Sequence, residues 1–215
     1  MHIMKTIIKT PILMLLVMTI IGCQNLDKKE KNLVQKEKPF VQKEFGKWKT
    51  KNDSLGVELD FNRFKNWTDL VKRTEEIICN DSLPKITLKT DKELKTIYFR
   101  NFCWNDDSFK FVKQKNVFEI YNDTINRNGE RTFPLDSLES VLRRDIKNNG
   151  ENPRLSENPE KLMIFVYYDN KYGFKKLPET LDQLTETYNR ITNKTDIKIS
   201  LIDKENFSPP LPPKN

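Results

Sequence analysis

Leu162-Met163-Ile164-Phe165-Val166-Tyr167-Tyr168 is the stretch that decides the fold. Seven apolar or aromatic residues in a row are too few for a helix core and show no alternation, so they read as a strand covered on both faces. Working outward, Pro178 fits the first turn of a helix whose Leu181, Leu184, Tyr188 and Ile191 recur at helical spacing. Beyond it, Ile197, Ile199 and Leu201 alternate with Lys198 and Ser200, which predicts an amphipathic strand over 196–203. On the N-terminal side, Pro134-Leu135-Asp136 opens a helix that Asp136 caps with Glu139 three places on. Leu138, Val141, Leu142 and Ile146 form its buried stripe, and Asn149-Gly150 stops it. Val117 to Ile125 reads as one strand, with an Asn128-Gly129 turn behind it and 131–133 returning.

Farther upstream the same rules give a strand from Leu55, where Val57, Leu59 and Phe61 alternate with acids. A helix capped by Asn66 follows, with Trp67, Leu70, Val71, Thr74, Ile77 and Ile78 on its inner face. Ile86, Leu88 and Thr90 begin a strand, and 95–104 is dense in β-branched and aromatic residues. Asn105 to Ser108 has turn chemistry, pairing this run with 109–112. Phe99, Phe102 and Trp104 are expected to form a sheet face packed on the helix at Trp67. The fold class is α+β: a single two-layer domain with a mixed sheet and about three helices packed on it.

Residues 24–52 are mostly Lys, Glu, Gln and Asn and cannot bury enough surface to offset their ordering entropy, so 23–52 is expected to be a charged tether. About 30 such residues span roughly 30 Å as a flexible chain. The globular region is placed at 53–206. Residues 207–215, with Pro209-Pro210-Leu211-Pro212-Pro213, read as an extended polyproline tail.

The first 22 residues carry Lys5 and Lys9 and then an apolar run from Ile12 to Ile21, the layout of a secretory leader, about half the length of a membrane span. Ile20-Ile21-Gly22-Cys23 resembles the cleavage site of bacterial lipoproteins. The resemblance implies removal of 1–22 and acylation of Cys23, palmitate among the acyl chains, leaving an anchored protein of the cell envelope and periplasm. Gln24, not an acid, directly after Cys23 favours the outer over the inner membrane. Residues 117–202, from Val117 through Asn128-Gly129, Pro134 to Glu139, Lys161 to Asp169 and Leu177 to Ile191, resemble the periplasmic domain of the ExbD/TolR family. That likeness implies a small α/β module that dimerises or binds an envelope partner. The transmembrane helix with its proton-handling aspartate has no counterpart in the leader, which contains no acid.

The chain has 38 basic and 31 acidic residues; losing Lys5 and Lys9 with the leader leaves 36 against 31, a modest +5 that favours anionic surfaces over nucleic acid. The sole histidine, His2, leaves too, which excludes imidazole-based triads and metal sites from the remainder. Cys79 and Cys103 are then either a disulfide or two buried thiols, since spacing alone does not decide. Glu75-Glu76 and Asp106-Asp107 are adjacent and diverge, unsuited to paired acid/base work. Asn105 to Ser108 lacks the Gly and distal Glu of a calcium loop, and no Gly-rich loop precedes a helix. No catalytic residue, cofactor or metal ligand is expected. Lys171, Tyr172, Lys175 and Lys176 form a basic-aromatic loop. These features predict a non-catalytic binding or scaffold domain that meets a protein, a cell-wall partner or a second copy through a sheet edge. The alternative is a carboxylate-dependent hydrolase acting on envelope glycan.

Overall fold

The computed structural model describes residues 41–48, 55–90, 93–103, 112–127 and 131–203. Their strands are β1 (Val41–Phe45), β2 (Gly56–Glu58), β3 (Leu83–Lys89), β4 (Glu93–Tyr98), β5 (Val117–Tyr121), β6 (Thr124–Asn126), β7 (Phe133–Pro134), β8 (Met163–Tyr167) and β9 (Ile199–Leu201). The helices are α1 (Trp67–Cys79), α2 (Leu138–Ile146) and α3 (Leu177–Thr192). The expected α+β class holds, with the strands divided between two mixed sheets ordered β1-β4-β3-β2 and β7-β6-β5-β8-β9.

β8 lies between β5 and β9 and is parallel to both. Ile164, Phe165, Val166 and Tyr167 are all buried, so both faces of the strand are covered, as a continuous apolar run requires. Each such side chain contributes about 1.5–3 kcal/mol on burial. Among the described residues, one parallel bridge, Phe99 to Ile199, joins the two sheets, reinforced by the Arg100 amide donating to the Ile199 carbonyl at 2.7 Å. Asn101 extends this seam: its Oδ1 accepts from the Leu201 amide at 2.9 Å and its Nδ2 donates to the Leu201 carbonyl.

α1 is capped as expected, with Asn66 Oδ1 accepting from the Asp69 amide at 2.8 Å. Its indole, Trp67, donates from Nε1 to the Ile202 carbonyl at 2.8 Å. The aromatic partners of Trp67 are Tyr168 and Phe174, at 5.3 and 5.9 Å, whereas Phe102 packs edge-on against Phe165 at 6.2 Å. Phe99 and Trp67 belong to one buried core, with Phe102 packed against it; Trp104 lies outside the described residues. α3 faces β4, since the buried Lys95 on that strand donates to Asp182 and Glu186 on the helix at 2.8 and 3.0 Å.

Five sequence readings change. The tether does not reach residue 52: β1 lies within it and pairs in parallel with β4. Phe45 is fully buried there and Tyr98 Oη donates to Glu44 at 3.0 Å, so two residues fix a strand whose other positions, Val41, Gln42 and Lys43, are exposed or half-buried. The strand from Leu55 ends at Glu58, because Asp60 starts a 3-10 turn by accepting from the Asn62 amide at 3.1 Å. Residues 117–125 are two strands, broken at Asn122-Asp123, whose φ angles of 45° and 60° make a two-residue hairpin turn. Asp136 does not cap α2; it lies in a 3-10 turn over Leu135–Ser137, and Glu139 instead pairs with Arg143 and Arg190. Ser200 is fully buried rather than solvent-facing, its Oγ donating to the Arg100 carbonyl at 2.5 Å. The Asn128-Gly129 turn, the Asn105–Ser108 turn and the proline tail lie outside the described residues.

Below the sheet edge sits a buried ion pair. Arg127 and Asp145 have fully buried side chains; Arg127 Nε and Nη2 both engage the carboxylate, and Nη1 donates to the Val117 carbonyl at 2.6 Å. Asp145 Oδ1 also accepts from the Ser156 amide at 2.8 Å, fastening the 151–159 loop to α2.

Candidate functional site

Parallel strands offer two ends for a ligand, and the carboxyl end is the usual one. Here that end is filled by its own side chains. Asp123 Oδ1 accepts from Tyr168 Oη at 2.7 Å and Thr180 Oγ1 at 2.9 Å. Asp169 accepts from Tyr121 Oη and from Asn122 Nδ2, while Asn122 Oδ1 accepts from the Asp169 amide at 2.9 Å. Burial pushes the Tyr168 hydroxyl far above its ordinary pKa, and the hydrogen bond to Asp169 raises that of Tyr121. Both hydroxyls stay protonated and serve as donors. Lys176, from the basic-aromatic loop, reaches Asp123 at 3.8 Å, and Tyr172 stacks on Tyr168 at 6.3 Å.

The opposite end of β8 and β9 is open. A recess of about 240 Å³ lies there, floored by Leu162, Ile164 and Ile197 and edged by Arg100, Lys194, Lys198, Asp196 and Glu160. Local folding explains the grouping. Asn193 takes a left-handed φ of 55° that ends α3 and turns the chain through Lys194 to Lys198 toward β9. Arg100 follows β4 where its end pairs with β9, which brings the guanidinium to the seam between the sheets.

Arg100 lies over the Trp48 ring at 4.7 Å, and its Nε is buried without a hydrogen-bond partner among the described residues. Burial lowers its pKa, though a guanidinium remains charged. Lys198 is lowered by burial and then by Arg100, and its Nζ donates to the Glu160 carbonyl. Asp196 accepts from Tyr188 Oη at 2.8 Å, and burial raises the Tyr188 pKa. A neighbouring recess of about 280 Å³ shares Glu160 and Lys198. Glu157 lies on its rim, where Lys113, Lys161 and, from outside the lining, Lys115 reach it at 2.8, 2.6 and 2.9 Å and hold that carboxyl well below its ordinary pKa. Those three cations are spent on one acid, while Arg100 has no carboxylate partner in any ion pair described.

No family model, curated protein or solved structure gives a significant match to this chain.

Cys79 and Cys103 form a disulfide, with Cα atoms 5.0 Å apart and 24 residues between them in sequence. Cys23, the residue of the lipoprotein-like site, lies outside the described residues, as do Asp106 and Asp107. Glu76 pairs with Arg73 at 3.1 Å on the exposed face of α1. Among the described residues, no cluster of His, Cys, Asp or Glu is arranged to hold a metal, and no helix is long and apolar enough to cross a membrane. Sequence reasoning passed over Arg100, Lys194 and Asp196. The available signal was a lone arginine inside the aromatic run Tyr98-Phe99-Arg100-Asn101-Phe102, an expensive position unless the charge is used.

Proposed function

We propose that this protein is a non-catalytic binding module of the bacterial cell envelope, held at the membrane by acyl chains on Cys23. The observation that carries the binding role is the open recess edged by Arg100, which has no carboxylate partner in any ion pair among the described residues, while the acids and hydroxyls at the other end of the sheet satisfy one another. The anchor is argued from the leader and the Ile20–Cys23 sequence, and the outer membrane is favoured by Gln24. Two acyl chains hold a protein stably where one binds only marginally. A protein or cell-wall partner is the proposed ligand source, and the outer edge of β1, with Val41 57 % exposed, is the edge a second copy would pair with.

A glycan hydrolase is the second reading, and one observation favours it: Glu160 and Asp196 edge the same recess. Against it, Tyr188 already occupies Asp196 and three cations share the cavity. Incubation with purified envelope glycan separates the two. Release of reducing ends that Asp196→Asn abolishes supports the enzyme, and retention of intact glycan supports the binder. Placement is tested by labelling cells with radioactive palmitate. Cys23→Ser is expected to lose the label and to leave the membrane fraction; unchanged labelling and fractionation would overturn the anchored reading.

A further inference from the structure

We infer that the Arg100 recess binds a single carboxylate carried on an apolar body, of the kind presented by the free C-terminal residue of a peptide. The inference rests on the reading of the domain as a binding module and names what it binds. Charge comes first. Arg100, Lys194 and Lys198 face Asp196 and Glu160 around one cavity, so the lining is one negative charge short of neutrality. A monoanion balances it. A phosphate dianion overshoots and meets both carboxylates at close range.

Geometry selects the chemical group. The Arg100 guanidinium lies over the Trp48 ring at 4.7 Å, and its buried Nε–H has no hydrogen-bond partner among the described residues. An unsatisfied buried donor costs about 1–3 kcal/mol, so a native structure that retains one has a reason for it. A carboxylate supplies two oxygens in one plane and matches a guanidinium fork, which a single point acceptor does not. Lys198 and Arg100 line the same recess, and burial, followed by the nearby Arg100 charge, lowers the Lys198 pKa.

The cavity selects the body. Leu162, Ile164 and Ile197 form an apolar floor beneath the charged rim, and about 240 Å³ accommodates one aliphatic residue. The adjoining recess shares Glu160 and Lys198 with this one and lies on the side away from Arg100, which does not line it.

The test is an NMR titration of the purified full-length protein, following the Arg100 Nε–H and Trp48 indole resonances. The probes are N-acetylleucine, leucinamide, inorganic phosphate, and a pentapeptide ending in leucine with a free or an amidated terminus. N-acetylleucine and the free-acid peptide are expected to shift Arg100 Nε–H saturably. Leucinamide and the amidated peptide are expected to leave it in place, and phosphate to bind at least tenfold more weakly than N-acetylleucine. Arg100→Gln, checked for folding by its amide spectrum, should weaken the carboxylates at least tenfold, while Lys72→Gln on the exposed face of α1 should change nothing. If Arg100→Gln does not fold, Lys198→Gln carries the comparison, with at least threefold weakening expected. Tighter binding of the peptide than of N-acetylleucine assigns the source to a polypeptide end, and equal affinity assigns it to a small carboxylate. The inference is overturned by the absence of a saturable shift with either carboxylate, by an equal response to the amidated peptide, or by phosphate binding as tightly. Such a failure leaves Cys23 acylation and any partner found by crosslinking in cells untouched, so the two readings fail separately.

Discussion

Lys95 Nζ on β4 donates to Asp182 Oδ1 on α3 across 2.8 Å, and the lysine side chain is 4 % exposed where the aspartate is 39 % exposed. A cation has been brought inside and its counter-charges left at the rim, Glu186 at 3.0 Å being the second. Burial works to lower the Lys95 pKa, but the hydrogen bonds to Asp182 and Glu186 outweigh it and the net shift is upward. The Lys95 hydrogen bond in turn lowers the Glu186 pKa.

The signs of these shifts fix a pH dependence. Lys95 is raised when folded, so its contribution is complete below the unfolded value of about 10.4 and is lost as pH rises through the folded value. Glu186 is lowered when folded, so its contribution is complete above about 4.3 and is lost as pH falls through the folded value. Thermal melts from pH 4 to 11 are expected to fall at both ends. Lys95→Met should flatten the alkaline decline, and Glu186→Gln should soften the acid one. Replacing Asp182 and Glu186 together by alanine should cost about 1–3 kcal/mol, at the low end because both are well solvated.

Arg127 and Asp145 present the opposite case, with both partners fully buried and a two-pronged contact between them. Asp145→Ala should cost about 3–5 kcal/mol, since it strands a buried guanidinium. The double variant Arg127→Met, Asp145→Leu should recover most of that loss, because replacing both charges by apolar volume removes the stranded group. Urea denaturation of the single and double variants measures the difference. A double variant no more stable than Asp145→Ala alone would contradict the account.

Gly46 has a φ of +70°, and a Cβ built there lies 2.6 Å from the Tyr98 carbonyl oxygen. Gly173 has a φ of +77° but open space around the same position. Both alanine variants incur the left-handed cost of about 1–2 kcal/mol. Gly46→Ala must also displace backbone where β1 leaves β4, so its loss of melting temperature should be clearly the larger. Equal losses would show that the close approach has no energetic weight.

The disulfide closes a loop of 24 residues' separation between the end of α1 and the chain leaving β4. The chain-entropy model assigns such a loop roughly 3 kcal/mol. Cys79→Ala with Cys103→Ala should lower stability by about that amount in denaturant. Alkylation of the unreduced, unfolded protein should leave both thiols unmodified.

Legibility followed locality. The burial of β8, the Asn66 cap and the stripes of α1, α2 and α3 were readable because each depends on residues within a turn or two of one another. β1 was not. Val-Gln-Lys-Glu-Phe carries one buried side chain, and what makes it a strand is a ladder to β4, half a hundred positions away. The hairpin at Asn122-Asp123 was missed because the flanking Ile120 and Ile125 kept an apolar rhythm that masked two turn-forming residues. Ser200 looked solvent-facing because alternation does not reveal that a second sheet abuts its polar side. The recess suffered most. Arg100, Asp196 and Lys198 meet only because β4 and β9 join end to side at Phe99, a non-local fact that no spacing rule contains.

The seam at Asn101 and Leu201 also bears on how the molecule is made. β9 is the last strand among the described residues, and its amide and carbonyl groups complete contacts for residues synthesised a hundred positions earlier. A nascent chain still lacking β9 can form the ladders of β8 with β5 and of β4 with β1 and β3, but leaves the other edge of β8 and the seam at Phe99 unpaired. Such a chain exposes the apolar flank of β8 and is vulnerable to aggregation until release. Folding of this seam therefore waits on β9, and a premature stop only a few codons before Leu201 should be as damaging as one far upstream.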